Sequence, residues 1–268
     1  MYYSIPTPSI SVVEIGPFTF HLYALCIIAG IAAAIWIADH RFTSSFPECD
    51  GVVADVAIIA IPAGVIGGRL YHVLTSLDQY VGRDKNPLEI FAIWKGGLGI
   101  WGAISLGAVG AWISYSKITR IRPLPSFATF ADALAPGLLI AQAIGRWGNW
   151  FNGELFGRPL TAPWALEIPY SLRPSAFANY ETFHPTFLYE SLWCVLLALI
   201  LISLNKRYPA GSLFWLYVAG YGLGRFFIEG VRIDSAHVIG GLRLNQYVSL
   251  ICVAVGLVAF GRISRSSR

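Results

Sequence analysis

Seven long apolar runs, at about residues 18–38, 52–74, 90–114, 127–146, 185–204, 211–231 and 246–262, divide this 268-residue chain and limit what it can become. Most approach or exceed the ~20 residues that an α-helix needs to cross a bilayer. In hydrocarbon every backbone N–H and C=O must be satisfied within the protein, so such a chain folds as a helical bundle. Charged residues make up only 13% of it, against about a quarter in soluble domains. The expected fold is an all-α polytopic membrane protein with about seven transmembrane helices. A soluble domain with a buried core is excluded.

Lys and Arg are shared unevenly among the connections. One set holds Arg41, then Lys117, Arg120 and Arg122, then Lys206 and Arg207, then Arg262, Arg265 and Arg268. The other begins with an N-terminal segment that has none, and its first loop has only Arg83 and Lys85. The positive-inside rule therefore predicts an outer N-terminus and a cytoplasmic C-terminus. The net charge of +4 follows from these loops and calls for no nucleic-acid partner. Met1 to Pro17 carries no Lys or Arg and no clear small-residue cleavage site, so the first helix is expected to be retained. Cys26, Cys194 and Cys252 lie in apolar runs and Cys49 in a short loop, without metal-ligand or redox spacing.

Residues 147–183 form the long connection, with Pro159, Pro163, Pro169 and Pro174 and eight aromatic side chains from Trp147 to Tyr180. Loops of this length are functional or disordered, and the aromatic content argues against disorder. The segment is expected to form a small extracytoplasmic head between helices 4 and 5 of a single membrane-embedded domain over 1–268. No repeat of 20–50 residues is apparent, so an inverted-repeat transporter lacks support.

Polar residues in apolar runs need a reason. Arg225, Glu229 and Arg232 stand at i, i+4 and i+7, on one face of a helix. They form either an internal salt bridge or a phosphate site, since two cations face one anion. Gly220, Gly222 and Gly224 before them would admit another helix or a lipid headgroup. Arg69 reads as a snorkelling arginine or a ligand group, and Lys95 as interfacial. Asp132 reads as a polar residue near a helix start. His184-Pro185-Thr186 opens the fifth run, with Glu190 complementing the helix dipole and His184 able to titrate. Densest of all is 145–158, Gly-Arg-Trp-Gly-Asn-Trp-Phe-Asn-Gly-Glu-Leu-Phe-Gly-Arg. Such groups are costly when buried unpaired, so they imply a polar ligand or a tight mutual network.

Gly145 to Gly157 closely resembles the signature of the prolipoprotein diacylglyceryl transferases, bacterial inner-membrane enzymes. Further matches follow in family order: Tyr23, the Gly-Gly-Arg ending at Arg69, and Trp94-Lys95-Gly96-Gly97. They continue with His184-Pro185-Thr186-Phe187-Leu188-Tyr189-Glu190 and Tyr221-Gly222-Leu223-Gly224-Arg225 with Glu229 and Arg232. One position departs. Many members carry a histidine in a His-Gly-Gly motif where this chain has Trp101-Gly102-Ala103. Either this chain uses another base or that histidine is no essential base.

The resemblance implies transfer of the diacylglyceryl group of phosphatidylglycerol to the lipobox cysteine of a prolipoprotein, with glycerol phosphate released. It is the first step of lipoprotein maturation, in the bacterial plasma membrane, with no metal or other cofactor. By similarity Arg146 binds the headgroup, Arg225 takes the leaving phosphate and Glu229 orients Arg225. Asn149, Asn152 and Glu154 line the pocket and Gly157 permits a close backbone turn. Tyr23 donates a hydrogen bond to the lipid, Arg69 and Arg232 belong to the lipid site, and His184 and Glu154 are the candidate bases.

Overall fold

The computed structural model describes residues 4–82, 85–205 and 207–266, apart from the side chains of Lys95 and Ser266. Arg83, Lys206 and Arg268, three of the charges used for orientation, lie outside the described residues. The chain is mostly helical. Its long helices are α1 (Leu22–Ser45), α2 (Val52–Thr75), α3 (Ile100–Ile118), α4 (Phe127–Asn152), α5 (Thr186–Ser203), α6 (Ser212–Val231) and α7 (Leu244–Ser266). Among the described residues five stretches are long and apolar enough to cross a membrane: α1, Pro47–Thr75, α4, α5 and Leu244–Arg265 of α7. Helices α3 and α6 are not among them; α6 carries Arg225 and Glu229, and α3 carries Lys117 with several Gly and Ser residues.

Two compact units are distinguished, residues 39–127 and residues 1–38 with 128–268. In the first, α2 and α3 pack along a seam of small residues. A Cβ on Gly67 would stand 2.2 Å from the carbonyl oxygen of Gly102, and one on Gly102 would stand 2.0 Å from that of Gly67. Only glycine permits backbones to approach so closely. The third run was expected to be helical from residue 90, but α3 begins at Ile100. Gly96 and Gly97 adopt φ of +84° and +73°, which end a right-handed helix. Short 3-10 turns at Pro87–Phe91 and Ile93–Lys95 precede them.

The second unit holds the rest. Gly30 of α1 faces the Ala141 carbonyl of α4, and Gly137 of α4 faces that of Ala34, so these helices touch backbone to backbone. Gly220 and Gly224 face Leu197 and Trp193 of α5, while Gly222 faces Ser249 and Cys252 of α7. The three glycines thus admit neighbouring helices on both sides of α6. Asp132 does more than start a helix. Its carboxylate accepts the backbone N–H groups of Gly211 and Phe214, each at 2.7 Å, and caps α6 from α4.

The chain is not purely helical. Strands β1 (Ile5–Pro6), β4 (Leu166–Glu167) and β5 (Thr182–Phe183) form a small sheet of order β1-β4-β5 over Phe156, Leu166, Ile168, Phe183 and Phe187. Strands β2 (Val12–Ile15) and β3 (Phe18–His21) form a hairpin turned at Gly16, φ +60°, which delays α1 from residue 18 to Leu22. A second hairpin, β6 (Val238–Ile239) with β7 (Leu242–Arg243), turns at Gly240 and Gly241 before α7. Helix α4 runs to Asn152, six residues beyond the expected end, and Gly153 at φ +60° stops it. The irregular segment between α4 and α5 is therefore 153–185.

Candidate active site

The polar signature sits where α4 ends. Arg146 and Asn149 are one turn apart on one helix face. The Arg146 Nη1 donates to Asn149 Oδ1 at 3.2 Å, and Asn149 Nδ2 donates to Glu154 Oε1 at 2.9 Å. Asn152 Nδ2 reaches the same oxygen at 3.1 Å. Glu154 is brought back over the helix end by two left-handed residues, Gly153 and Leu155, the latter at φ +57°. A non-glycine residue there costs about 1–2 kcal/mol. The Leu155 carbonyl accepts the Thr186 hydroxyl at the start of α5, a partner that favours this conformation.

Two carboxylates gather the arginines. Glu190 of α5, 3% exposed, accepts Arg146 Nη2 at 2.8 Å, Arg225 Nη1 at 3.0 Å and the Tyr221 hydroxyl at 2.8 Å. Glu229 of α6, fully buried, lies 2.6 Å from Arg225 Nη2, 2.9 Å from Arg243 Nε and 3.6 Å from Arg232 Nη1. Asn245 donates to it as well, at 3.2 Å. Asp234 takes Arg232 Nε at 2.7 Å and Arg243 Nη2 at 2.9 Å. Burial alone would raise the Asp234 carboxyl, but the hydrogen bond and charge of Arg232, with the charge of Arg243, hold it below the ordinary carboxylate range. Four guanidiniums thus meet three carboxylates directly, and Glu154 is one hydrogen-bonded asparagine away. The internal salt bridge, one of the two alternatives for Arg225, Glu229 and Arg232, is present as part of this larger array.

One detail of that expectation is corrected. Arg232 does not continue the helical face, because α6 ends at Val231 and Arg232 is extended, at φ −67° and ψ 149°. Its backbone joins the signature loop: Arg158 N–H donates to the Val231 carbonyl at 3.0 Å, and Gly157 bridges Arg232. Gly157 N–H donates to the His184 carbonyl, also at 3.0 Å. Gly157 thus serves a close approach rather than a turn. A Cβ on it would stand 2.7 Å from Val231 Cγ1 and 2.8 Å from His184 Cβ. Gly157→Ala is expected to destabilise the fold by about 1–3 kcal/mol and to depress turnover with it. Unchanged thermal unfolding and turnover would mean that the loop has room to yield.

Arg146, Asn149, Leu155, Thr186, Phe187, Glu190 and Arg232 line one small cleft, so charged and apolar side chains share its lining. Trp147 and Trp150 pack on Phe187 at ring separations of 5.4 and 6.0 Å and tie the end of α4 to the start of α5. Tyr23 of α1 lies against this end of α4, since a Cβ on Gly148 would stand 2.6 Å from its ring.

The other expected residues sit as follows. His184 places Nδ1 3.1 Å from the Tyr189 hydroxyl and is not among the residues lining the cleft. Burial and the nearby Arg158 charge hold its imidazole below the ordinary value of 6.5. A depressed folded-state value means that protons favour the unfolded chain. The stability that neutral His184 contributes is therefore complete above about pH 6.5 and is lost as pH falls below it. Thermal unfolding of His184→Gln is expected to lose that acid-side slope, and an unchanged slope would assign it to other groups. Arg69 belongs to the unit of residues 39–127, where four of its five N–H groups meet backbone carbonyls. Trp101, in the same unit, is the second residue of α3.

The sequence reading did not single out Tyr221, Asp234, Arg243 or Asn245 for the site, and it gave Glu190 only a helix-dipole role. Glu190 carried a usable signal, an ionisable group inside an apolar run. Arg243 and Asp234 carried none, being ordinary charges of a short connection.

Matches to known proteins cover both compact units. The family model described as prolipoprotein diacylglyceryl transferase matches residues 11–262. The chain belongs to that family. It is 52% identical over 257 residues to phosphatidylglycerol–prolipoprotein diacylglyceryl transferase 2 of Streptomyces coelicolor, covering 95% of this chain and 79% of that one. The Streptomyces griseus transferase is 51% identical over 256 residues, covering 95% and 76%. That of Cutibacterium acnes is 49% identical over 250 residues, covering 92% and 82%.

Proposed function

We propose that the chain transfers the diacylglyceryl group of phosphatidylglycerol to the lipobox cysteine of prolipoproteins, the first step of bacterial lipoprotein maturation. The observation that carries this reading is the union of Arg146 and Arg225 on one buried carboxylate, Glu190, with Arg146 and Glu190 lining a part-apolar cleft. In the reaction the cysteine thiolate attacks the glycerol carbon that bears the phosphate ester. The S–C bond forms, the C–O bond breaks, and glycerol phosphate leaves with the electron pair. Fixed guanidiniums stabilise the charge that develops on the leaving phosphate, most strongly where water is excluded.

Arg146 holds the headgroup and Arg225 receives the departing phosphate, with Glu229 orienting Arg225 through their 2.6 Å ion pair. Glu190 holds the two arginines side by side, and phosphate oxygens compete with it for both. Asn149, Asn152 and Glu154 form the polar lip, Arg232 closes the cleft, and Tyr23 donates to the lipid. The thiol proton passes to a base, with Glu154 and His184 as the two candidates, while nearby cations favour the thiolate.

All seven long helices cross the bacterial plasma membrane, the N-terminus lies outside and the C-terminus is cytoplasmic. In support, the site gathers where α4 and α6 end and α5 and α7 begin, and Arg207, Arg262 and Arg265 lie at the opposite ends of these helices. The segment 153–185 is then an outer head.

Mass spectrometry of a lipobox peptide incubated with purified protein and phosphatidylglycerol tests the reading. The expected result is a diacylglyceryl increment on the cysteine, absent with Arg146→Ala. No increment from folded protein with several phospholipids would overturn it.

A further inference from the structure

We infer that the irregular segment 87–99 is seated in the headgroup–acyl boundary of the lipid bilayer, with the guanidinium of Arg69 supplying the hydrogen bonds that water would otherwise give its backbone. Between α2 and α3 the chain makes two 3-10 turns and a double glycine, which leave carbonyls without helical partners. Arg69 of α2 collects them. Its Nε donates to the Ile90 carbonyl at 2.7 Å, its Nη1 to those of Gly96 and Gly97 at 2.8 and 3.1 Å, and its Nη2 to that of Glu89, which also accepts the Ala92 N–H. The guanidinium lies 5.2 Å from the Tyr80 ring, and the residue is only 7% exposed.

On an aqueous surface water could hydrate these carbonyls itself, and burying the arginine would carry a desolvation cost. In a lipid-facing segment the same carbonyls have no solvent, and an internal donor is required. The outward side chains agree. Leu88, Phe91 and Trp94 are 73%, 74% and 79% exposed, and Leu98 is exposed as well. The chain on either side presents the same character, with Leu70 and Leu74 exposed on α2 and Ile100 and Ile104 on α3. This apolar surface therefore continues that of a helix long enough to cross a membrane. Tryptophan favours the boundary region. Glycines let the segment lie flat on α2: a Cβ on Gly97 would stand 2.7 Å from the His72 ring, and one on Gly99 would stand 2.3 Å from that of Tyr71.

The test uses full-length protein in phosphatidylglycerol-containing vesicles, with Cys26 and Cys252 replaced by Ala. Spin labels are placed at Phe91→Cys, Trp94→Cys and, for comparison, the exposed polar position Ser175→Cys. Power saturation then compares collisions with oxygen, which concentrates in lipid, and with a water-soluble nickel chelate. Labels at 91 and 94 are expected to favour oxygen, with nickel access several-fold below that at 175. Nickel access equal to that at 175, or shielding from both reagents, would overturn the inference. Arg69→Gln is expected to raise nickel access at 91 and 94, and unchanged access would overturn the role given to Arg69. Arg69→Lys, which keeps the charge and loses the planar fork, gives the same readout if Arg69→Gln fails to insert.

Discussion

Replacing Arg225 by lysine is expected to lower turnover by about 10²–10³-fold, the loss typical of removing one preorganised donor to a developing anion. Its guanidinium spans two carboxylates, with Nη1 3.0 Å from Glu190 and Nη2 2.6 Å from Glu229. A lysine ammonium carries the charge as a single point and cannot bridge both while presenting donors to a phosphate. Arg225→Ala should be lower still. Peptide lipidation followed by mass spectrometry gives the rate, and thermal unfolding in detergent reports whether the bundle survives. Near-normal turnover in Arg225→Lys would mean that charge alone suffices and that the two-carboxylate clamp is structural.

Glu229→Ala should have the largest effect on stability. The carboxylate is fully buried among Arg225, Arg232 and Arg243 and accepts from Asn245. Removing one partner of a buried ion pair costs about 3–5 kcal/mol, because the remaining charge is stranded. For a chain of this size that corresponds to a fall in Tm of roughly 6–20 °C. Glu229→Gln keeps the shape but not the charge and should fall between. Arg243 is the informative partner, since its three nitrogens reach Glu229, Asp234 and the Arg232 carbonyl. In a double-mutant cycle, Arg243→Gln combined with Glu229→Gln should lose less than the sum of the single changes. Strict additivity would show that the pair contributes no mutual stabilisation.

The cationic array was only partly legible before the fold was known. Arg225 and Glu229 could be paired from a spacing of four, because a helix dictates which side chains meet at that interval. Glu190 could not be joined to Arg146 and Arg225, since nothing in the chain states that α5 packs beside α6 with these levels aligned. That alignment depends on Gly220 and Gly224, which bring Leu197 and Trp193 of α5 against the backbone of α6. Arg243 was invisible for a different reason. A charge in a short connection is normally solvated, and only the β6–β7 hairpin turns this one inward. The late start of α3 was missed because hydropathy alone does not register two consecutive glycines at positive φ.

The amino-acid sequence by itself determined the solvent of this protein, the approximate bounds of its long helices, and the family motifs that hold Arg146 and Arg225. All of these rest on local properties: apolar run length and residue order. The tertiary structure decided which carboxylate faces which guanidinium and why Gly157 is glycine. It also decided that Arg69 serves the backbone of its own unit. These depend on contacts between residues tens of positions apart, such as Arg146 with Glu190 and Arg69 with Gly97. Packing creates such contacts, and no local pattern encodes them.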